Sequence, residues 1–435
     1  MSRTLVVDPG PFTWRLGVVD DAGLARLRAV DIVAGVEGAW FRARVTARAP
    51  DLGGLFADVG AVEPVFVRLP AALRRRPPDE GAALLVQGVA DAVAGKGPRA
   101  TTRLAFEGAH LTLRDDGDGP HVRPGADDPA DLRRRAARLF AGRPVELHAS
   151  AAGVADDVLT AELTALAATA STVRRRFEES AALGPLLDED ARLALAVRAL
   201  AAGVDDVVTT PDGALRVARL AAAAGLGDRV RRSAEPWGEA GAEGGPEEAL
   251  QPDVPLEGGA ALVIEPTAAC VAVDVDRRGA RGPAARVNAA AAAALVRAVA
   301  VRELAGQLVV DFLDPGGAEG RGDLARTLAR ALAPVDAHVV TVLRSGLAVL
   351  ERPRRAAALH ERRDPGREAA ERLLRRAAGH AIFEAAVAAD VDDRLMRPGY
   401  AEAGRAWLAA HGSRLVRRRD PALPRATFIT ESRKP

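Results

Sequence analysis

Residues 261–315 read ALVIEPTAACVAVDVDRRGARGPAARVNAAAAAALVRAVAVRELAGQLVVDFLDP. Two apolar runs within this stretch, Ala268–Val275 and Leu304–Leu313, are short, rich in Val and closed by Asp. Runs of this kind predict strands buried on both faces. The Ala-rich segment between them, from Asn288 to Glu303, predicts a helix with Asn288 as its N-cap and Gly306 as its stop. Strands joined through helices make the fold class α/β.

The carboxylates of this stretch carry its chemistry. Asp274 and Asp276 close the first run, and at a separation of two they face the same side of a strand. Asp311 and Asp314 close the second run, and at a separation of three they face different sides of a regular strand. Pairing the two strands would bring Asp274, Asp276 and Asp311 to one rim. Carboxylates gathered at the edge of a core repel each other and are costly to bury unpaired. A hard divalent cation removes that cost. Mg²⁺ takes one or two carboxylates, keeps several waters and is completed by phosphate oxygens. Such a site suits phosphodiester hydrolysis, because the metal polarises the phosphoryl oxygen and activates water. From spacing alone, Asp residues that cap turns and face solvent are the competing reading.

Composition narrows the classes. The chain has 435 residues and no long apolar run free of charge, which predicts a soluble protein of two to four domains without a membrane segment. The first residues, MSRTLVVDPG, lack the apolar core of a signal peptide and enter a strand-like run at once, so a cytoplasmic location is expected. The single cysteine, Cys270, excludes disulfides and Cys-built zinc sites within the chain. A net charge of +1 means that any nucleic-acid contact must use local patches. Lys occurs only at Lys96 and Lys434, a bias towards Arg and Ala that reflects a GC-rich genome.

Outward from the central stretch, residues 1–35 predict a short β-meander, too small for a core of its own and so expected to pair with a later segment. Residues 38–113 hold short strand-like runs separated by Gly, Pro and Asp, which point to a small barrel. Barrels of this size bind single strands through exposed aromatic rings and nearby cations. Phe56 and Phe66 are the candidate rings and Lys96, between Gly95 and Gly97, the candidate cation, although a Phe on a strand usually belongs to the core. A polar loop at 115–131 precedes an expected helix (Asp131–Phe140), a strand (Val145–His148) and a long helix (155–179). Then come a helix (Asp190–Ala202), a strand (Asp205–Thr209), a helix (Gly213–Ala224) and an acidic, Gly/Pro-rich loop. Beyond Pro315 the chain adds a helix, a strand and RSGLAVLERPR, then further helices and short strands to the end.

These motifs resemble the ribonuclease E/G family along most of the chain. ALVIEPTAACVAVDVD and LAGQLVVDFLD are similar to the IEQTEAL, VAVDVN and LGGLIVIDFID strands of that family's catalytic domain. The resemblance implies an Mg²⁺-dependent endoribonuclease that acts on single-stranded RNA, leaving a 5′-phosphate and a 3′-hydroxyl, in ribosomal-RNA processing or messenger-RNA turnover. Asp274 and Asp311 stand at the family's metal-binding aspartates, and Asp276 stands where the family has a catalytic Asn. An ionised Asp only accepts hydrogen bonds, so Asp276 would either add a third ligand or repel the phosphate. Asn288 matches an Asn of an NTN-like segment, and Arg344 a phosphate-contacting Arg. LGGLFADVGAVEPVF and GKGPRATT are similar to an S1-type RNA-binding module, with Phe56, Phe66 and Lys96 on its RNA-contacting positions.

The implied architecture is an RNase H-like subdomain (1–35 with 184–256) carrying an inserted S1-type OB barrel (36–114), followed by a 5′-sensor-like region (115–183). A DNase I-like catalytic α/β domain (257–362) and a small C-terminal α/β domain (363–435) complete it. Ser150 and Ala151 replace the Arg–Thr pair that senses a 5′-monophosphate, so that stimulation is expected to be lost or weakened. Arg143 and His148 are the available substitutes. No Cys follows Cys270, so a homodimer would lack the family's zinc link, and no degradosome scaffold tail is expected. A non-cleaving RNA-binding protein of the same fold is the alternative function, and a small-nucleotide phosphohydrolase a third that leaves the barrel unexplained.

Overall fold

A computed structural model describes residues 2–60, 63–92, 97–123, 129–354 and 357–430. The described residues form a mixed α/β structure of several sheets, a closed five-stranded barrel and twelve α-helices. The Val-rich runs form the centre of a six-stranded sheet. Its strands lie in the order Asp253–Pro255, Ala261–Pro266, Val271–Asp276, Gly306–Asp311, Leu347–Arg352, His338–Val342. The strands Val271–Asp276 and Gly306–Asp311 are parallel neighbours, joined by the helix Ala284–Arg302.

Alternate residues of these strands, among them Ile264, Val273, Leu308, Val310 and Leu350, form one core with Ala291, Leu295 and Val299 of that helix and with Leu324, Leu328 and Leu332 of the helix Gly317–Leu332. Burying each such Val or Leu contributes about 1.5–3 kcal/mol. The strands were expected to be buried on both faces. Only one face is covered, and on the other Asp274, Gln307 and Asp311 are exposed. The alternation of Val with Asp, Gln and Ala is the pattern of a half-buried strand. The connecting helix begins four residues before Asn288, behind Pro283, and its C-cap is Glu303 in the left-handed conformation (φ 50°). Asn288 is therefore not the N-cap and Gly306 is not the stop. By length and composition this helix is apolar enough to cross a membrane. Its apolar side is the centre of the core just described, which accounts for that composition.

The β-meander pairs with a later segment, as its size requires. Arg3–Asp8 runs parallel to Asp206–Thr209 in a five-stranded sheet with Val230–Arg232, Thr13–Asp20 and Gly23–Asp31. Phe12 leaves that sheet to pack in the core of the C-terminal helices, its ring edge-on to Tyr400 at 5.0 Å. Ion pairs Asp31–Arg367 (2.8 Å) and Asp8–Arg375 (2.9 Å) flank it. Arg297 of the connecting helix in turn pairs with Asp20 at 3.0 Å. The meander is thus the piece that both the central helix and the C-terminal helices rest on.

The barrel closes through Trp40–Ala49, Gly54–Asp58, Val65–Arg68, Arg99–Thr101 and Ala83–Ala90, the last strand pairing back with the first. Ala105–Glu107 and Leu111–Arg114, expected in the barrel, instead form a separate four-stranded sheet with His121–Val122 and Val145–Leu147. The reason is packing. Leu104, Phe106 and Leu111 belong to the core beneath the helices Pro129–Phe140 and Asp156–Glu179, where Phe106 stacks on Trp40 at 4.8 Å.

Candidate metal and RNA-binding site

Asp274 and Asp311 are direct partners across the two parallel strands. Residues in register on neighbouring strands project from the same face, so the two carboxylates stand side by side on the open face. Partial burial, then the negative charges of Asp311 and Asp276, push the Asp274 carboxyl above the usual carboxylate range. Two like charges in this arrangement are the donor set that a hard divalent cation relieves.

Asp276 shares that face but does not join the pair. Its carboxylate accepts the backbone N–H of Arg278 at 2.9 Å and the Arg278 side chain at 3.2 Å, and these contacts hold it below the usual range. Arg278, in the left-handed conformation (φ 48°), also reaches Asp253 at 2.9 Å. Among the described residues no group of three or more His, Cys, Asp or Glu gathers as a metal site. The expected three-carboxylate rim is therefore a pair plus a separately neutralised Asp276. Nothing in the spacing of Asp274, Asp276 and Asp311 pointed to Arg278.

Asn288 was expected to contact RNA. It is 2 % exposed, and its amide is fixed at both ends by one residue. Its Nδ2 donates to the Leu313 carbonyl at 2.8 Å and its Oδ1 accepts the Leu313 N–H at 3.1 Å. It is a clamp that holds the chain just past Asp311. We expect Asn288→Ala, which leaves both Leu313 groups unpaired, to lower unfolding free energy by roughly 2–3 kcal/mol in urea titrations, with metal-free RNA affinity unchanged.

Arg344 lies in the hairpin turn between His338–Val342 and Leu347–Arg352, exposed and without an ion pair among the described residues. Leu347, at the end of that turn, is the register partner of Asp311, so the turn sits at the same end of the sheet as the carboxylate pair.

On the barrel, Phe56 and Phe66 face each other across adjacent strands, rings 5.5 Å apart and edge to face. Both are half-buried, whereas their neighbours Leu55, Ala57, Val65 and Val67 fill the interior at 0 % exposure. The two rings therefore stand on the outside wall. Gly54 makes room for the Phe66 ring, since a Cβ there would come within 2.6 Å of it. Exposed Arg68 pairs in register with Gly54 and exposed Arg99 with Phe66, so two cations flank the rings. Sequence reasoning named neither, although Arg68 lies two residues beyond Phe66 on the same strand face. Lys96 lies outside the described residues.

In the region expected to sense a 5′-phosphate, Ala151 is fully buried and the Ser150 hydroxyl donates to the Ala109 carbonyl at 2.9 Å. His148 is not an open substitute. It is 9 % exposed, meets the Thr112 hydroxyl at 2.8 Å, and burial pulls its pKa down to about 4. Arg123, which the sequence did not single out, is held by Glu146 at 2.6 Å.

No curated protein matches this chain. Residues 140–355, which contain the carboxylate pair, the Asn288 clamp and the Arg344 turn, match the model of the ribonuclease E/G family. With that match over the site-bearing half of its length, the chain belongs to the ribonuclease E/G family.

Proposed function

We propose that this protein is an endoribonuclease that cleaves single-stranded RNA with Mg²⁺ held at Asp274 and Asp311. The observation that supports it most is the register of those two carboxylates, side by side and exposed on the open face of the sheet. Two carboxylates fit Mg²⁺, which, when bound, polarises the scissile phosphate and activates a water.

The chain's own residues do the rest. Phe56 and Phe66 stack on unpaired bases, and Arg68 and Arg99 hold the phosphates on either side. Arg344 meets the phosphate backbone near the carboxylate pair. Asn288 fixes the segment that follows Asp311. Arg278 cancels the charge of Asp276, so that the site has two net negative charges and still admits an RNA phosphate.

The fold fits the same reading. The barrel's strand order suits an S1-type OB module, and the five-stranded sheet, with two parallel strands added to a meander, suits an RNase H-like subdomain. The sheet around Asp274 then serves as the DNase I-like catalytic domain, with residues 363–435 as the small C-terminal domain.

The test is cleavage of a labelled single-stranded RNA with Mg²⁺ by the protein and by its Asp274→Asn/Asp311→Asn variant. Equal inertness with equal RNA binding would make it an RNA-binding protein of the same fold. The role of Arg278 has its own check. Arg278→Met should weaken RNA binding about three- to tenfold by baring the charges of Asp276 and, farther off, Asp253, and adding Asp276→Asn should restore most of it.

A further inference from the structure

The strand Val271–Asp276 has the carboxylate pair near its end. Its start, where Val271 pairs with Pro266, lies beside a different polar locus. A cavity of about 320 Å³ opens there, lined among others by Leu250, Ile264, Glu265, Arg302, Leu304 and His360. Arg302 is the last residue of the helix Ala284–Arg302 and is 8 % exposed. One of its N–H groups donates to the Gln251 carbonyl at 2.8 Å. Among the described residues no carboxylate pairs with it, and burial, unopposed by any neighbouring charge, lowers its pKa. A guanidinium nevertheless keeps its proton in a protein. A buried charge without a partner is costly, and the usual remedy is an anion. Arg302 is itself part of the lining of this cavity, and Gln251 is the hydrogen-bond acceptor its side chain has among the described residues.

The remaining lining says what else a ligand must have. Leu250, Pro252 and Leu359, none of them fully buried, give accessible apolar walls, and buried Ile264 and Leu304 lie behind them. His360 is pushed towards its neutral form by burial and offers a ring N–H. Glu265 stands exposed at the rim. We infer that this cavity binds a small organic anion, its charged group on Arg302 and its apolar body against Leu250, Pro252 and Leu359. The charged group is a carboxylate or a phosphate ester, because a guanidinium fork suits both. The site is independent of the nuclease reading, since it lies at the opposite end of the strand that carries Asp274.

Calorimetric titration of the full chain with hexanoate, adenosine monophosphate and inorganic phosphate tests it. Hexanoate or the nucleotide should bind, and whichever is tighter identifies the charged group. Inorganic phosphate, with no apolar body, should bind about tenfold more weakly. Glu265→Gln removes a repelling charge at an exposed position and should tighten binding about two- to fivefold. Arg302→Met should abolish binding. Because Arg302 also anchors Gln251, its variant counts only if its thermal transition stays cooperative; otherwise Glu265→Gln decides alone. The Asp274→Asn/Asp311→Asn protein should bind as the parent does, which separates this site from the RNA site. The assignment is overturned if neither organic anion binds, if phosphate alone binds, if Glu265→Gln fails to tighten, or if folded Arg302→Met binds unchanged.

Discussion

Asp274→Asn with Asp311→Asn should lower cleavage of single-stranded RNA by about a thousandfold or more while leaving RNA affinity, read with Mg²⁺ present, within about twofold. The first figure follows from charge. A metal at a phosphoryl-transfer site supplies several kcal/mol of transition-state stabilisation, and each 1.4 kcal/mol is about tenfold in rate. The pair is the only place among the described residues where two carboxylates stand in register on the open face of the central sheet. Asn preserves shape but removes the charge that holds the cation. The second figure follows from charge and position, because two Asn carry the same net charge as two carboxylates with Mg²⁺ between them, and the barrel rings and their flanking cations, proposed to hold the strand, belong to a different sheet. The double variant should also be at least as stable as the parent, since two like charges side by side repel. A thermal scan without divalent metal checks this, and a lowered midpoint would mean that the carboxylates have a structural task. Retention of cleavage by the double variant would remove Asp274 and Asp311 from the chemistry.

Phe56→Ala with Phe66→Ala should weaken binding of single-stranded RNA by roughly 30- to 25,000-fold. Stacking on an aromatic ring is worth about 1–3 kcal/mol per base, and two rings are removed. The fold should survive, because the rings stand outside the wall that Leu55, Ala57, Val65 and Val67 seal from within. The loss should be nearly independent of salt, whereas Arg68→Ala with Arg99→Ala should flatten the salt dependence of binding. Filter binding at two ionic strengths, beside circular dichroism, reads both. Unfolding of the Phe pair variant would make those rings core after all, and unchanged affinity would move the RNA path off this face.

The secondary elements around the site could be read locally. The helices expected at Asp131–Phe140 and Asp190–Ala202 are Pro129–Phe140 and Glu189–Leu200, and the strand expected at Asp205–Thr209 is Asp206–Thr209. Val-rich runs and the two-residue period also carried the partnership of Asp274 with Asp311. That information lies within a few residues of each position, because side-chain alternation and strand propensity are properties of neighbouring residues. The exterior position of Phe56 and Phe66 was not readable in the same way. Alternation says that they share a face, but only closure of the barrel says which face is inside.

The role of Asn288 depended on a partner far along the chain, and that of Asp276 on Arg278, two residues on, which a distant residue holds in place. Asn288 meets Leu313, 25 residues away, and Arg278, which neutralises Asp276, is anchored by Asp253, also 25 residues away. The sequence by itself determined the strands, the connecting helix and the carboxylates that alternate along them. Only the tertiary structure decided that Asn288 is a buried clamp, that Asp276 is drawn off by an Arg278 anchored on Asp253, and that Arg302 is buried beside a cavity with no carboxylate paired to it among the described residues. The physical reason is that hydrogen bonding and desolvation are set by which distant groups the packed sheet brings within about 3 Å, and no local pattern encodes that distance.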